Sequence, residues 1–408
     1  MIIAYDKRYV MIIDQAGALQ GIRVIDFGRF IAGPYCGMLL ADMGADVIRI
    51  DRRGGSEDRY LGPVTEGGEG GMFLSLNRNK RSLTLDPGQP QGGEIIRRLV
   101  AGADVVIANL PLEVMAKMGI TYDALRAIKP DIILVMISAF GPDGPYAQRV
   151  GFDTVAQAMS GAMSLTGFPG PPMRALVPFE DFGTALHAAF GAMVALYHKR
   201  LTGQGQLVDA SLLASGVTFM QAFLAERHVT GRERRQQGNA GFYSAPSDCY
   251  PVKDGWIVIA VIGGPVFRRW ASLVGREDLL RDDRFADDLS RAGQYEQIAE
   301  IMTGWTSTRT AAEALTALET ARIPSGPAHN LEQTLCDPHV RARELLRYVP
   351  YPGAAKDVPL ANTPVRLSST PGGIRHRAPS AGEHTVEVLG ELGYSPAEIA
   401  ELRRSEVV

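Results

Sequence analysis

An acidic pair, Glu180-Asp181, stands where an extended run meets a long helix of small and apolar residues, inside the segment 174–213 (RALVPFEDFGTALHAAFGAMVALYHKRLTGQGQLVDASLL). Read locally, Asp181 is a helix N-cap, its carboxylate accepting N–H groups that the first turn leaves without partners. Neighbours on an extended run face opposite sides, so Glu180 and Asp181 are not expected to work as paired carboxylates. Arg52 and Arg53 follow a short apolar run, where a guanidinium can grip a phosphate. Gly263 and Gly264 follow another, and their N–H groups, with no side chain in the way, could hold an oxyanion. Phe30, Phe140, Phe152 and Tyr243 could line an apolar pocket, and each serves as readily in a core.

These residues need elements to place them. Residues 22–27 (IRVIDF) form a short β-branched run expected to be a buried strand. Gly33-Pro34 opens a helix, Gly44 closes it, and residues 45–50 (ADVIRI) make the next strand. Such a βαβ unit implies a parallel sheet with a crevice at the strand C-termini, the place for Arg52. Residues 104–108 and 131–137 read as further strands, each after a helical pattern. The expected fold is α/β: a doubly wound, Rossmann-like large domain over 19–225, a smaller α+β domain over 226–325, and a return to the large domain over 326–408. Residues 1–18 are expected to be an N-terminal extension or an extra strand, with Asp6, Lys7 and Arg8 breaking any signal-peptide core.

The chain has 408 residues, 46% of them hydrophobic and 21% charged, as in ordinary globular proteins. A net charge of -3 leaves no footprint for nucleic acid or an acidic membrane surface. Polar residues interrupt every apolar stretch, so none is expected to span a bilayer. Three scattered cysteines, Cys36, Cys249 and Cys336, suit free thiols in a reducing cytoplasm. No zinc spacing, P-loop or G-x-S-x-G elbow occurs.

Several blocks occur in a fixed order: residues 21–51 (GIRVIDFGRFIAGPYCGMLLADMGADVIRID), 77–86 (NRNKRSLTLD), 151–161 (GFDTVAQAMSG), the acidic-pair segment, and 382–389 (GEHTVEVL). From about residue 19 to the C-terminus the chain thereby resembles the class III CoA-transferases of the CaiB/BaiF type, which include formyl-CoA:oxalate and crotonobetainyl-CoA:carnitine CoA-transferases. The resemblance implies that Asp181 is a covalent nucleophile, passing through an aspartyl anhydride and an aspartyl-CoA thioester. A carboxylate suits that role because its mixed anhydride is as reactive as the thioester it attacks. A place at a helix N-terminus would also stabilise its charge between turnovers. The implied reaction needs an acyl-CoA donor and a carboxylate acceptor. No metal is expected, and no tightly bound cofactor; coenzyme A is part of the substrate.

In such a family Arg52 contacts the nucleotide, and Leu85 and Asn109 align with other CoA-binding positions. Lys117 stands where some members have Arg, and Gly88 stands where a Lys contact can occur. Ile31 replaces a Gln that helps formyl-CoA transferases hold a small polar acid, which argues against formate and oxalate. The sequence around Gly263-Gly264 resembles a glycine-rich loop that closes over the intermediates, and it is equally a plain turn. The resemblance also implies an interlocked homodimer with the CoA site near the subunit boundary.

Three other readings compete. α-Methylacyl-CoA racemases share the fold and use a His in a GHD block; here the block is Gly151-Phe152-Asp153, and phenylalanine cannot act as a base. Asp51 ends the second strand like the ribose-binding acid of nicotinamide dehydrogenases, but the preceding turn lacks G-x-G-x-x-G. A non-catalytic CoA-binding homologue would not be expected to keep Asp181 in an intact block.

Overall fold

The structure is a computed structural model and describes residues 17–408. The expected extension therefore lies outside the described residues except for Gly17 and Ala18. The chain forms two compact units. The larger holds the chain up to Ala162, then Ala175–Gly231 and His339–Val408; the smaller holds Met163–Arg174 and Arg232–Pro338. The smaller unit thus runs past the expected border at 325 and takes in a short segment ahead of the acidic pair.

The larger unit is built on strands β1 (Arg23–Asp26), β2 (Asp46–Asp51), β3 (Lys80–Thr84), β4 (Val105–Ala108), β5 (Ile133–Ser138) and β6 (Leu207–Ser211), in the order β3-β2-β1-β4-β5-β6. Every pairing is parallel. The order reverses between β1 and β4, which opens a crevice at their C-terminal ends. Alternate residues enter opposite cores: Ile25, Ile48, Val106 and Leu134 on one face, Val24, Val47, Val105 and Ile133 on the other. Both faces are covered, so the strands read as continuous apolar runs.

The helices of this unit up to residue 230 are α1 (Ala32–Asp42), α2 (Gly71–Leu76), α3 (Pro90–Ala101), α4 (Leu112–Met118), α5 (Tyr122–Ile128), α6 (Asp153–Met159), α7 (Phe179–Thr202) and α8 (Leu212–Thr230). α7 lays Ala185, Ala188, Ala189, Ala192 and Ala195 against the second core. Their spacing makes a stripe of small side chains that lets the helix approach the sheet closely. α7 connects β5 to its parallel neighbour β6, so it must run antiparallel to them. Its N-terminus, with the acidic pair, therefore stands at the C-terminal edge of the sheet. The smaller unit carries β7 (Ser247–Val252), β8 (Gly255–Ala260) and β9 (Ser325–Pro327) in one antiparallel sheet. Among the described residues no helix is long and apolar enough to cross a membrane.

β3 owes its place to charge. Arg49, in the middle of β2, is completely buried and donates to Asp51 (3.0 Å), to both oxygens of Asp58 (2.9 and 3.0 Å), to Asn77 (3.1 Å) and to the Gly28 carbonyl (3.2 Å). Arg59 reaches the other Asp51 oxygen at 2.7 Å, and Ser82 of β3 donates to that same oxygen. Lys80 of β3 donates to Asp26, Asn77 and the Pro34 carbonyl. Burial opposes the charge on Asp51, but Arg49 and Arg59 overrule it and hold its carboxyl far below the ordinary range. Asp51 is thus a scaffold residue with no free oxygen for a ribose, which removes the dehydrogenase reading.

Removing one partner from such a cluster leaves buried charge uncompensated. Arg49→Ala strands Asp51 and Asp58 and is expected to cost about 3–5 kcal/mol of stability. Urea unfolding at neutral pH measures this, and a loss below ~1 kcal/mol would show that the network is dispensable.

Candidate active site

The β1–α1 turn forms one wall of the crevice. Gly28 and Gly33 touch back to back; a Cβ on Gly28 would lie 2.9 Å from the Gly33 Cα, so both must be glycine. Phe30 takes a left-handed backbone (φ 60), costly for an aromatic residue, and its N–H is held by Asp58 at 3.2 Å. Asn109, just beyond β4, clamps the turn from both sides, accepting from Arg29 N–H at 2.7 Å and donating to Arg29 O at 2.8 Å. Ile31 caps α1 and is half-buried. The Phe30 ring meets Phe152 edge-on at 5.5 Å, and Tyr35 meets Phe182 at 5.0 Å. The first contact brings the start of α6 to the turn, and the second packs the start of α7 against α1.

Asp181 is not the N-cap. α7 begins at Phe179 with Pro178 as cap, so Glu180 and Asp181 are both in its first turn. The capping oxygen comes from α6: Asp153 Oδ2 accepts from Glu180 N–H (2.9 Å) and Asp181 N–H (3.1 Å). Gln157 donates to the other Asp153 oxygen and accepts from Ala175 N–H at 2.9 Å. The expected stabilisation of Asp181 by the helix terminus is therefore corrected. The nearest N–H groups serve Asp153, and Asp181 faces a like charge instead. Among the described residues no hydrogen bond reaches its side-chain oxygens. Burial, then the Asp153 carboxylate, pushes Asp181 up to about 7.

Glu180 is fully buried (0% exposed) and lies 2.8 Å from the Ser160 hydroxyl. The two acids share a helical turn and do not flank an extended strand, so the expectation of opposite faces also fails. Asp153, Gln157 and Ser160 were missed as site residues. Their spacing, one side of a short helix, was the available signal, but it equally describes a wet face.

The other expected residues scatter along the strand ends. Arg52 follows β2 with its side chain 69% exposed, 3.6 Å from Glu57. Leu85 follows β3, is buried in the core, and donates its N–H to Asp51 O. Lys117 is exposed on α4. Gly263, in the smaller unit, has φ 83 and donates its N–H to both Asp288 oxygens at 3.0 and 2.9 Å, so that group is already engaged. Gly264 begins the helix that follows. Phe152, where a racemase has its base, is 63% exposed at the start of α6. His187 is occupied with Ser215 at 2.9 Å.

Residues 19–385 match CoA-transferase family III. The chain is 34% identical over 394 residues to a succinyl-CoA–D-citramalate CoA-transferase of Chloroflexus aurantiacus, covering 96% of this chain and 98% of that one. It is 36% identical over 389 residues to a succinate–glutarate CoA-transferase of Agrobacterium fabrum, covering 92% and 95%. Its fold is similar to the crystal structure of a CaiB/BaiF family protein from Brucella suis, with a TM-score of 0.82 at 33% identity over 93% of this chain and 100% of that one. The chain belongs to CoA-transferase family III. It is an enzyme that moves CoA between an acyl-CoA and a carboxylic acid.

A carboxylate acts as a nucleophile only when ionised, and burial raises the ionisation of Asp181 to about 7. If Asp181 is the attacking group, kcat/KM for acyl-CoA should rise about tenfold per pH unit below ~7 and stop rising by about pH 7.5. A profile flat from pH 5 to 8 would mean that no group with this raised pKa limits the free enzyme.

Proposed function

We propose that this CoA-transferase takes CoA from the thioester of a short dicarboxylic acid and passes it to a second carboxylate through Asp181. The observation that carries the reading is a half-buried Asp with no hydrogen bond to its oxygens, at the crevice of a doubly wound sheet. An Asp181 oxygen attacks the thioester carbonyl, the C–S bond breaks, and CoA leaves as thiolate. The thiolate attacks the Asp181 carbonyl of the mixed anhydride and expels the donor acid, leaving an aspartyl-CoA thioester. The acceptor carboxylate attacks that thioester and again expels the thiolate. The thiolate then takes the acceptor's acyl carbonyl and frees Asp181. A half-buried carboxylate of raised pKa suits these steps, because nucleophilicity grows with basicity.

The dicarboxylate assignment rests on the relatives, named for succinyl-CoA with citramalate and for succinate with glutarate. Ile31 at the turn bears only on what is excluded, being a poor partner for formate or oxalate. Arg52, exposed at the strand end, is assigned to a phosphate of CoA; Ile31, Asn109 and Lys117 are assigned to the CoA site with it, and Leu85 can contribute only through its backbone. The Gly263 N–H can serve an oxyanion only once Asp288 releases it, and Gly264 stands next to it in that loop. The reading needs no metal and no bound cofactor beyond CoA in the substrate, and it places the enzyme in the cytoplasm.

Incubation with succinyl-CoA followed by mass spectrometry tests the reading. The wild type should gain a covalent mass on the peptide containing Asp181, and Asp181→Ala and Asp181→Asn should gain none. The cap is Asp153, so either variant should lose less than ~1 kcal/mol of stability. In the same assay Arg52→Ala should need about 10- to 100-fold more acyl-CoA for equal labelling. Labelling of Asp181→Ala would end the assignment.

The enzyme is also assigned as a homodimer. α7 turns its alanines to the sheet but leaves Phe190 72% and Tyr197 66% exposed, with Leu186, Val194 and Leu201 beside them. An apolar stripe of this length on a soluble chain calls for a partner. Light scattering should give twice the 44.1 kDa chain mass, and a monomer at micromolar concentration would refute the assignment.

A further inference from the structure

If the Glu180 carboxyl is ionised, the Ser160 hydroxyl can serve it or the Gln157 carbonyl, but not both. Ser160 on α6 has one hydroxyl hydrogen and two acceptors within reach, the Gln157 carbonyl at 3.2 Å and Glu180 Oε1 at 2.8 Å. If Glu180 carries a proton, it donates to Ser160, Ser160 donates to Gln157, and both contacts are made. Among the described residues the second oxygen, Oε2, is buried with no hydrogen-bond partner. A charged oxygen left so costs far more than a neutral one. The backbone of α8 closes the space: a Cβ on Gly216 would lie 2.3 Å from Oε1, so only glycine leaves room for the carboxyl.

The charges acting on Glu180 are both negative. α6 brings Asp153, α7 itself brings Asp181, and α8 presents uncharged Gly216 and Ser215. We propose that Glu180 is a positioning residue that works as a neutral acid, holding its proton against Ser160 so that Asp181 alone loses a proton at the start of α7 when it becomes the nucleophile. This rests on the reading of Asp181 above. Burial first pushes Glu180 up to about 7 as well; a hydrogen bond received from Ser160 pulls the other way, and Asp153 and Asp181 add to the rise. The two acids titrate as a pair: once Asp181 is charged, Glu180 holds its proton to higher pH. Its eventual ionisation sets a second buried charge under the nucleophile.

The sign for stability follows. A group whose folded pKa lies above its unfolded value contributes fully below the ordinary carboxylate range and loses that contribution as pH rises through about 7. The wild type should therefore lose Tm between pH 6 and 9. Glu180→Gln, neutral throughout and able to donate to Ser160, should lose less. Labelling by succinyl-CoA, each protein compared with itself, should fall from pH 7.5 to 9.5 in the wild type and stay level in Glu180→Gln. Equal declines in the two proteins would overturn the proposal.

A third measurement needs no change at 180. In Asp181→Asn protein, a protonated-carboxyl infrared band should be present at pH 6 and vanish on alkaline titration; its absence at pH 6 would also overturn the proposal. The infrared and Tm measurements do not depend on Asp181 being the nucleophile. Covalent labelling of Asp181→Asn would therefore sink that reading while leaving Glu180 decided on its own.

Discussion

Arg49 is the point on which the larger unit turns. Its guanidinium sits in the interior without contact with water and spends its donors on two carboxylates, an amide and a backbone carbonyl from four separate stretches of chain. Each tie has a structural consequence. Asp58 holds the N–H of left-handed Phe30, Asp51 gathers Arg59 and Ser82, and Asn77 is shared with Lys80. The β1–α1 turn, the edge strand β3 and the crevice wall therefore depend on one buried cation. Replacing such a cluster with apolar residues can leave a protein as stable, whereas removing one member does not. What the ions supply here is a defined path for a strained turn at the crevice.

The start of α7 shows the same economy of donors. A helix offers free N–H groups in its first turn, and whichever carboxylate takes them becomes the quieter anion. Asp153 takes them. Among the described residues Asp181 is left without a hydrogen-bond donor to its oxygens and near a like charge, and so keeps its basicity. An N-cap and a basic carboxylate make opposite demands, and the start of α7 meets them with two different residues.

Much of the scaffold was legible in the sequence for a physical reason. β1, β2, β4 and β5 are buried on both faces and so appear as apolar runs. β3 was not legible as a strand: Lys80, Arg81 and Ser82 make ion pairs and hydrogen bonds where a strand usually makes apolar contacts. Arg49 lay unnoticed inside a strand-like run, while the exposed Arg52 drew attention as the visible charge. A buried cation is balanced by partners remote in sequence, such as Asp58 and Asn77, and no local pattern shows them. The role of Asp181 was carried by its surrounding block. Its true neighbour, Asp153, lies 28 positions earlier and meets it only through the packing of α6 on α7.

The Arg59 guanidinium donates to the carbonyl of Pro379, 320 positions along the chain, at 2.7 Å. Nearly the whole polypeptide must leave the ribosome before that contact can close. The smaller unit, whose main segment ends at Pro338, is fully synthesised earlier. Until residue 379 emerges, Arg59 faces water or a chaperone with its last acceptor missing. The long separation makes the larger unit the slow partner in biogenesis, since distant closures are entropically costly and are reached late. A nascent chain stalled or truncated near residue 340 would thus display one finished unit joined to an open sheet edge, a form that quality control can tell from the mature enzyme.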